Sequence, residues 1–225
     1  MRAPRMAVAS AETQPFREVS SGEGSVMSTG SLPATVYIVR HGEKLGDPSD
    51  DGDGILDLSI RGSARASYLP SLFVPASPEL SCCLTDKTDH VTAQYVKNDL
   101  SGPAPRFSTP AFIFATQTSK DSNRPIETIT PTATGLGLAI NSPYGDGDYA
   151  KLANEITTGA QYAGAIVLIC WHHGKIPDLA QALGVASPPP WPVTVFDRVW
   201  EIDYSGGSTQ LQNHPQQLLY GDSAT

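Results

Sequence analysis

The sequence predicts a three-layer α/β/α domain built on a mostly parallel central sheet. Three short runs of mainly apolar residues are TVYIV at 35–39, AFIFAT at 111–116 and AIVLICW at 165–171. Continuous apolar runs of this length are typical of strands that are buried on both faces. A segment with the apolar spacing of a helix follows each run. Strands that alternate with helices form βαβ units, in which the strands run parallel between layers of helices.

The length of the chain suits one such domain better than two. It has 225 residues, of which 40% are hydrophobic and 17% charged, as is ordinary for a globular protein with a buried core. We place the domain at residues 34–225. Residues 1–33 are rich in Ser, Gly and Glu and lack the apolar run of a secretory signal, so we expect them to form a disordered arm.

Two further elements can be predicted in some detail. Ser59 is the candidate N-cap of the helix that follows the first strand, and Ala64, Tyr68 and Leu72 would form its buried stripe. Residues 193–204 alternate between apolar and polar side chains, which predicts a more exposed strand at the edge of the sheet.

The charge and hydropathy of the chain exclude some classes of partner. The formal net charge is -8, which disfavours nucleic acid, because phosphate backbones are bound through clustered Lys and Arg. No apolar stretch approaches the roughly 20 residues of a membrane span. We therefore expect a cytoplasmic protein with neither a nucleic-acid nor a membrane partner, and the sequence leaves the oligomeric state open. A small phosphorylated substrate is compatible with this charge, since a few arginines can make one pocket positive.

Two segments resemble metal sites but lack the ligands. Cys82 and Cys83 have only His90 nearby, which is too few for a zinc site. The acidic run DPSDDGDGILD at 47–57 resembles a calcium loop, yet Leu58 stands where a bidentate Glu is expected. We therefore predict no bound metal, and no residue pattern indicates a cofactor.

Residues suited to phosphoryl transfer follow the three predicted strands. Arg40 and His41 follow the first, Arg124 opens the helix after the second, and His172 and His173 follow the third. The carboxyl ends of parallel strands border one crevice, so we expect these side chains to converge. An imidazole can accept a phosphoryl group, arginine forks can hold its equatorial oxygens, and a second histidine can donate a hydrogen bond to it.

The same segments resemble, in the same order, the motifs of the histidine phosphatase superfamily, also called phosphoglycerate mutase-like proteins. The first strand and RHG motif of that family resemble VYIVRHGEK, and the helix that follows them resembles LSIRGSARASYL. The segment with the second arginine resembles SNRPIETITPTATGLGL, and the one with the second histidine resembles VLICWHHGKIPDLAQALG. RHG alone is a weak signal, whereas four ordered segments over residues 35–204 are a strong one. The resemblance implies a phosphoglycerate mutase-like fold.

The resemblance also implies a role for each matched residue. His41 would be the nucleophile, and Arg40 and Arg124 would bind the phosphate. His172 lies at the position of the second histidine in an ungapped alignment, but members with Trp-Glu-His at this place favour His173. We take His173 as the predicted catalytic partner and keep His172 as the alternative.

The acid that would protonate the leaving oxygen is not settled by the sequence. Glu43 could do so, because a positioned carboxyl group can act as a general acid. It could equally orient an arginine or be a solvated loop acid. Glu43 is therefore a candidate catalytic residue with alternatives.

The predicted activity is hydrolysis of a phosphate monoester, independent of metal, through a phosphohistidine on His41. Residues 76–110 are the one obvious insertion, carry no recognisable mutase signature and are expected to form a substrate lid. The alternative function is a non-catalytic module of the same fold that recognises phosphorylated partners. The presence of both histidines and both arginines argues against that alternative.

Overall fold

The computed structural model describes residues 32–44, 56–75, 104–206 and 208–223. These contain six strands and four α-helices, in the order β1 (Thr35–Arg40), α1 (Ile60–Tyr68), β2 (Phe112–Ala115), α2 (Arg124–Leu136), β3 (Ile140–Asn141), α3 (Tyr149–Thr158), β4 (Ile166–Trp171), α4 (Ile176–Ala182), β5 (Arg198–Asp203) and β6 (Gln210–Pro215). Among these helices, none has the length and hydrophobicity that crossing a bilayer requires. Nearly all of the predicted arm, most of the calcium-like run, the Cys82–Cys83 pair and residues 76–103 of the predicted lid lie outside the described residues.

The strands form one mixed sheet in the order β3-β2-β4-β1-β5-β6. The first four strands of that order run parallel to one another, β5 is antiparallel to β1, and β6 is antiparallel to β5. The predicted mostly parallel sheet is therefore confirmed. In the pairing of β1 with β4, Arg40 lies opposite Trp171, so the two strands end side by side.

Helices cover both faces of the sheet, which confirms the three predicted layers. Alternate residues of a strand point to opposite faces. Val36 and Ile38 of β1 therefore pack in one core with α3 and α4, whereas Tyr37 and Val39 pack in a second core with α2 and the 3₁₀ turn Leu69–Leu72. Because β1 and β4 are buried on both sides, their sequences are apolar without alternation.

The helix α1 begins as predicted but buries a different face. Ser59 is its N-cap, and the Ser59 hydroxyl accepts a hydrogen bond from the backbone N–H of Gly62 at 3.1 Å. The predicted stripe is wrong at its centre, since Tyr68 is 58% exposed and Arg65 is buried. The reason is electrostatic: Arg65 turns inward to ion pairs with two carboxylates.

The predicted edge strand is also misplaced. β5 lies inside the sheet between β1 and β6, and its residues Val199, Trp200 and Ile202 are buried. The edge is formed instead by β6, which was not predicted. Its sequence QLQNHP is mostly polar and lacks apolar alternation, as sheet edges that face solvent often do.

Candidate active site

A cleft of about 370 Å³ opens at the carboxyl ends of the parallel strands. The structure brings together in its lining all five residues singled out after the predicted strands, which are Arg40, His41, Arg124, His172 and His173. The rest of the lining is Lys44, Ser119, Asp121, Ser122, Asp146 and Gly174. The location agrees with the general rule that parallel sheets bind ligands beyond the carboxyl ends of their strands.

His41 is the first residue after β1, and it extends the pairing of that strand with β4. Its backbone N–H donates a hydrogen bond to the carbonyl oxygen of Trp171 at 3.2 Å. The residue is only 4% exposed. Its ring centroid lies 5.0 Å from that of His172 and 6.2 Å from that of Phe196. The pairing of the two strands thus places the two imidazoles beside each other.

A hydrogen bond determines which ring nitrogen of His41 carries the lone pair. The Nδ1 atom lies 2.7 Å from the carbonyl oxygen of Gly42. A carbonyl oxygen only accepts, so Nδ1 carries the hydrogen and Nε2 of the neutral ring has the lone pair. Burial lowers the pKa of His41 well below its ordinary value, and the charges of His172, Arg40 and Arg124 lower it further. The imidazole is therefore neutral near pH 7 and can act as a nucleophile through Nε2.

Two glycines allow the turn after His41 to pack tightly against α1. A Cβ atom on Gly42 would lie 2.9 Å from the carbonyl oxygen of Gly62, and a Cβ atom on Gly62 would lie 2.2 Å from the carbonyl oxygen of Glu43. On the other side, the Gly42 N–H donates to the hydroxyl of Thr128 in α2 at 2.8 Å. The turn is thus held between two helices, and a side chain at either glycine would displace it.

Arg40 is held by the segment that precedes β5. Its Cζ atom lies 3.5 Å from the ring centroid of Phe196. Its Nη1 atom donates hydrogen bonds to the carbonyl oxygens of Val193 and Val195. These contacts fix the orientation of a buried, planar guanidinium group next to His41.

Arg124 owes its position to the start of α2. Its backbone N–H donates to the Ser122 hydroxyl at 3.3 Å, and its carbonyl oxygen accepts from the Thr128 hydroxyl at 2.7 Å. Because Thr128 also binds the Gly42 N–H, the first turn of α2 and the turn after His41 are linked. The residue is buried. A second guanidinium group is thus fixed at the cleft.

The geometry favours His172 over His173 as the partner of His41. Arg40 and Trp171 are paired in the parallel ladder, so the residues that follow them, His41 and His172, are the next neighbours across the two strands. Both histidines line the cleft, and the ring centroid of His172 lies 5.0 Å from that of His41. The resemblance favoured His173, and the register of the two strands is the physical reason for preferring His172.

Glu43 lies outside the lining of this cleft. Its carboxylate accepts hydrogen bonds from Nε and Nη2 of Arg65 and from Nε of Arg61. Burial would raise the pKa of Glu43, but the hydrogen bonds and the charge of Arg65 outweigh it, and the pKa is lowered. An ionised carboxylate held in this way is better suited to orienting an arginine than to protonating a leaving group.

The charges of the cleft suit an anion. Its lining contains three cationic side chains, Arg40, Lys44 and Arg124, and two carboxyl groups, Asp121 and Asp146. Within the part of the chain that the structure describes, no three His, Cys, Asp or Glu side chains lie close enough to hold a metal ion. The protein's own cations can hold a phosphate in this cleft.

Lys44 and Asp146 are the lining residues of greatest chemical interest that the sequence analysis missed. Lys44 is buried and lies only three residues after His41, so its nearness in sequence was the available signal. Asp146 follows β3, a strand of two residues that is too short to recognise from its sequence. Had β3 been identified, its parallel pairing with β2 would have placed the following acidic turn at the cleft.

No family model and no curated protein matches the chain. Phosphoglycerate mutase from Bacillus anthracis str. Sterne is a similar solved structure, with 15% identity, coverage of 83% of this chain and 94% of that one, and a TM-score of 0.47. A mycobacterial glucosyl-3-phosphoglycerate phosphatase has 12% identity, coverage of 81% and 97%, and a TM-score of 0.45. The protein histidine phosphatase SixA complexed with tungstate has 17% identity, coverage of 81% and 97%, and a TM-score of 0.39. These neighbours are a mutase and two phosphatases.

Proposed function

We propose that the protein is a histidine phosphatase that hydrolyses a small phosphate monoester through a phosphohistidine on His41. One observation carries the proposal: a buried, neutral imidazole with its lone pair on Nε2 shares a single cleft with Arg40, Arg124 and His172. An unprotonated imidazole in a cationic cleft combines a nucleophile with the charge that an incoming phosphate requires.

In the first step, the phosphoryl oxygens bind to the guanidinium groups of Arg40 and Arg124. Nε2 of His41 attacks phosphorus and the N–P bond forms. The ester P–O bond breaks as its electron pair moves to the ester oxygen, which departs with the leaving group. Charge on the equatorial oxygens grows in the transition state, and planar guanidinium forks neutralise it better than point charges do. His172 donates a hydrogen bond to the same phosphoryl group.

In the second step, a water molecule attacks the phosphorus of phosphohistidine. The O–P bond forms, the N–P bond breaks, and its electron pair returns to Nε2. His41 is then neutral again, and inorganic phosphate leaves the cleft. We propose water as the acceptor, and not a second substrate, because residues 76–110 carry no recognisable mutase signature.

The proposal is tested by turnover of p-nitrophenyl phosphate, with His41→Gln as the inactive variant and His214→Gln as its matched control. His214 lies on β6, contacts Glu201 and is not part of the cleft lining. We expect the wild type and His214→Gln to release p-nitrophenol at equal rates with or without EDTA, and His41→Gln to be inactive. Binding of inorganic phosphate by calorimetry without turnover of this ester or of a panel of phosphorylated metabolites would instead support the non-catalytic module.

A further inference from the structure

Asp146 reaches the cleft from a part of the chain that contributes none of the other groups discussed above. β3 runs parallel to β2, so the segment that leaves β3 emerges at the same edge of the sheet as Arg124. Asp146 opens the 3₁₀ turn Asp146–Asp148 and lines the cleft. The indole Nε1–H of Trp171 donates to its carbonyl oxygen at 3.3 Å. Because Trp171 directly precedes His172, this hydrogen bond fixes Asp146 against the strand that carries the second imidazole.

The surroundings of Asp146 favour its protonated form. Its Oδ1 atom is buried and accepts no hydrogen bond from the residues that the structure describes. A buried carboxylate oxygen loses its hydration, and without a hydrogen-bond donor the protein does not replace it. The ionised form of the carboxyl group is therefore disfavoured. Burial raises the pKa of Asp146, and the carboxylate of Asp178 raises it too, whereas Lys175 and Trp171 lower it. Lys175 is itself paired with Asp178 at 3.1 Å, which moderates its effect.

The other carboxyl groups near His41 are less suited to donating a proton. Glu43 lies outside the cleft and is held as an anion by Arg65 and Arg61. Asp121 lines the cleft but is exposed to solvent. Of the carboxyl groups in the described lining, Asp146 is therefore the one that combines access to the substrate with shielding from water.

We propose that Asp146 is the catalytic acid that protonates the leaving oxygen, an inference that rests on the proposed function. As the Nε2–P bond forms, the electron pair of the breaking P–O bond moves to the ester oxygen, which takes the proton of the Asp146 carboxyl group. The alcohol departs, and Asp146 becomes a carboxylate. In the second step the carboxylate takes a proton from the attacking water, and the N–P electron pair returns to His41.

The test compares Asp146→Asn on two substrates that differ in their leaving group. p-Nitrophenolate leaves without a proton, whereas the alkoxide of β-glycerol phosphate needs one. We expect kcat/KM for β-glycerol phosphate to fall by about two to four decades, and kcat/KM for p-nitrophenyl phosphate to fall less than about tenfold. Asp148→Asn makes the same change two residues away, on a side chain that pairs with Lys151 outside the cleft, and should leave both values unchanged.

The outcomes separate this inference from the proposed function. An equal loss on both substrates, or no loss, overturns the role of Asp146, as does a wild type that hydrolyses only p-nitrophenyl phosphate. A loss confined to β-glycerol phosphate in Asp121→Asn, with Asp146→Asn unaffected, assigns the acid to Asp121. A wild type that hydrolyses neither ester contradicts the proposed function itself. Equal thermal midpoints for wild type and Asp146→Asn exclude misfolding as the cause of a loss.

Discussion

The cleft and the ion-pair cluster beneath α1 use charged side chains in opposite ways. We define the ion-pair cluster as Arg65, Glu43 and Asp222. Arg65 is 2% exposed, and its Nη2 lies 2.8 Å from Oε1 of Glu43 and 2.8 Å from Oδ1 of Asp222. The pKa of Arg65 is accordingly raised and those of both carboxyl groups are lowered, in spite of burial. In the cleft, by contrast, burial lowers the pKa of His41, and the neighbouring cations lower it further.

The difference separates the charges that stabilise the fold from those that we propose bind the ligand. In the ion-pair cluster, each charge already has a counter-charge from the protein, so these ion pairs stabilise the fold. In the cleft, we propose that the cations Arg40, Lys44 and Arg124 attract an anionic substrate. The two regions meet on one turn, because His41 and Glu43 are two residues apart. The ion-pair cluster thus anchors the turn that presents His41, the proposed nucleophile.

The largest difference that we expect between two substitutions concerns kcat in variants of the adjacent histidines His172 and His173. His172→Ala should lower kcat for p-nitrophenyl phosphate by about two to four decades, because the phosphoryl group loses a donor in a shielded site. His173→Ala should cost less than about tenfold, because the strand register and the ring contact place His172 beside His41. Steady-state kinetics of both variants check this. The reverse order would show that the catalytic partner is His173, as the sequence resemblance first favoured.

In the ion-pair cluster, the matched pair is Arg65 and Arg61, which both contact Glu43 and Asp222. Arg65→Met leaves two carboxylates without their buried partner and should lower the free energy of unfolding by about 3–5 kcal/mol. Arg61→Met should cost no more than about 1 kcal/mol, since the Arg61 side chain is 50% exposed. Urea unfolding measures both. An equal loss of unfolding free energy in the two variants would mean that burial does not determine how much Arg65 contributes to stability.

Arg124 tests whether the cleft requires the shape of its cations as well as their charge. Arg124→Lys keeps the charge but loses the planar fork, so kcat/KM should fall by about one to two decades, equivalent to about 1.5–3 kcal/mol. Arg106→Lys is the control, since Arg106 is exposed and binds the carbonyl oxygen of Pro215, outside the cleft lining. A loss below about twofold in Arg124→Lys would place Arg124 outside the phosphate contacts.

The smallest effect concerns the titration of His41. Burial and the neighbouring cations disfavour the imidazolium, so His41 should remain neutral as the pH falls through about 6.5, the ordinary range of histidine, and should take up its proton only below it. NMR titration of the ring hydrogens, assigned by their loss in His41→Gln, measures the midpoint. His172→Ala removes one lowering influence and should shift that midpoint upward. A wild-type midpoint at or above the ordinary value would contradict the electrostatic description of the cleft.

The parts of the fold that the sequence could predict are those with a continuous local signal. The strands β1, β2 and β4 are buried on both faces, and their apolar runs record this directly. β3 has two residues and β6 is mostly polar, so neither carries such a signal. The acidic turn after β3 was missed for the same reason, and with it Asp146.

The charged residues show a second limit of prediction from sequence. Arg65 lies outside the predicted buried stripe of α1, yet it is buried. Its partners Glu43 and Asp222 lie 22 and 157 residues away in the sequence, so no local pattern reveals them. The proposed choice of His172 over His173 rests on how β1 and β4 pair, and no local pattern in the sequence gives that register. The positions of such residues thus depend on contacts between distant segments.

The proposed mechanism requires that His41 carry the phosphoryl group during turnover. The full chain mixed with a ³²P-labelled substrate and quenched in alkali within one turnover should hold the label on His41, as shown by mass spectrometry of its peptide. That label should be stable to base and released by acid, and His41→Gln should carry none and have no activity. Label on a different side chain, or full turnover by His41→Gln, would contradict the claim.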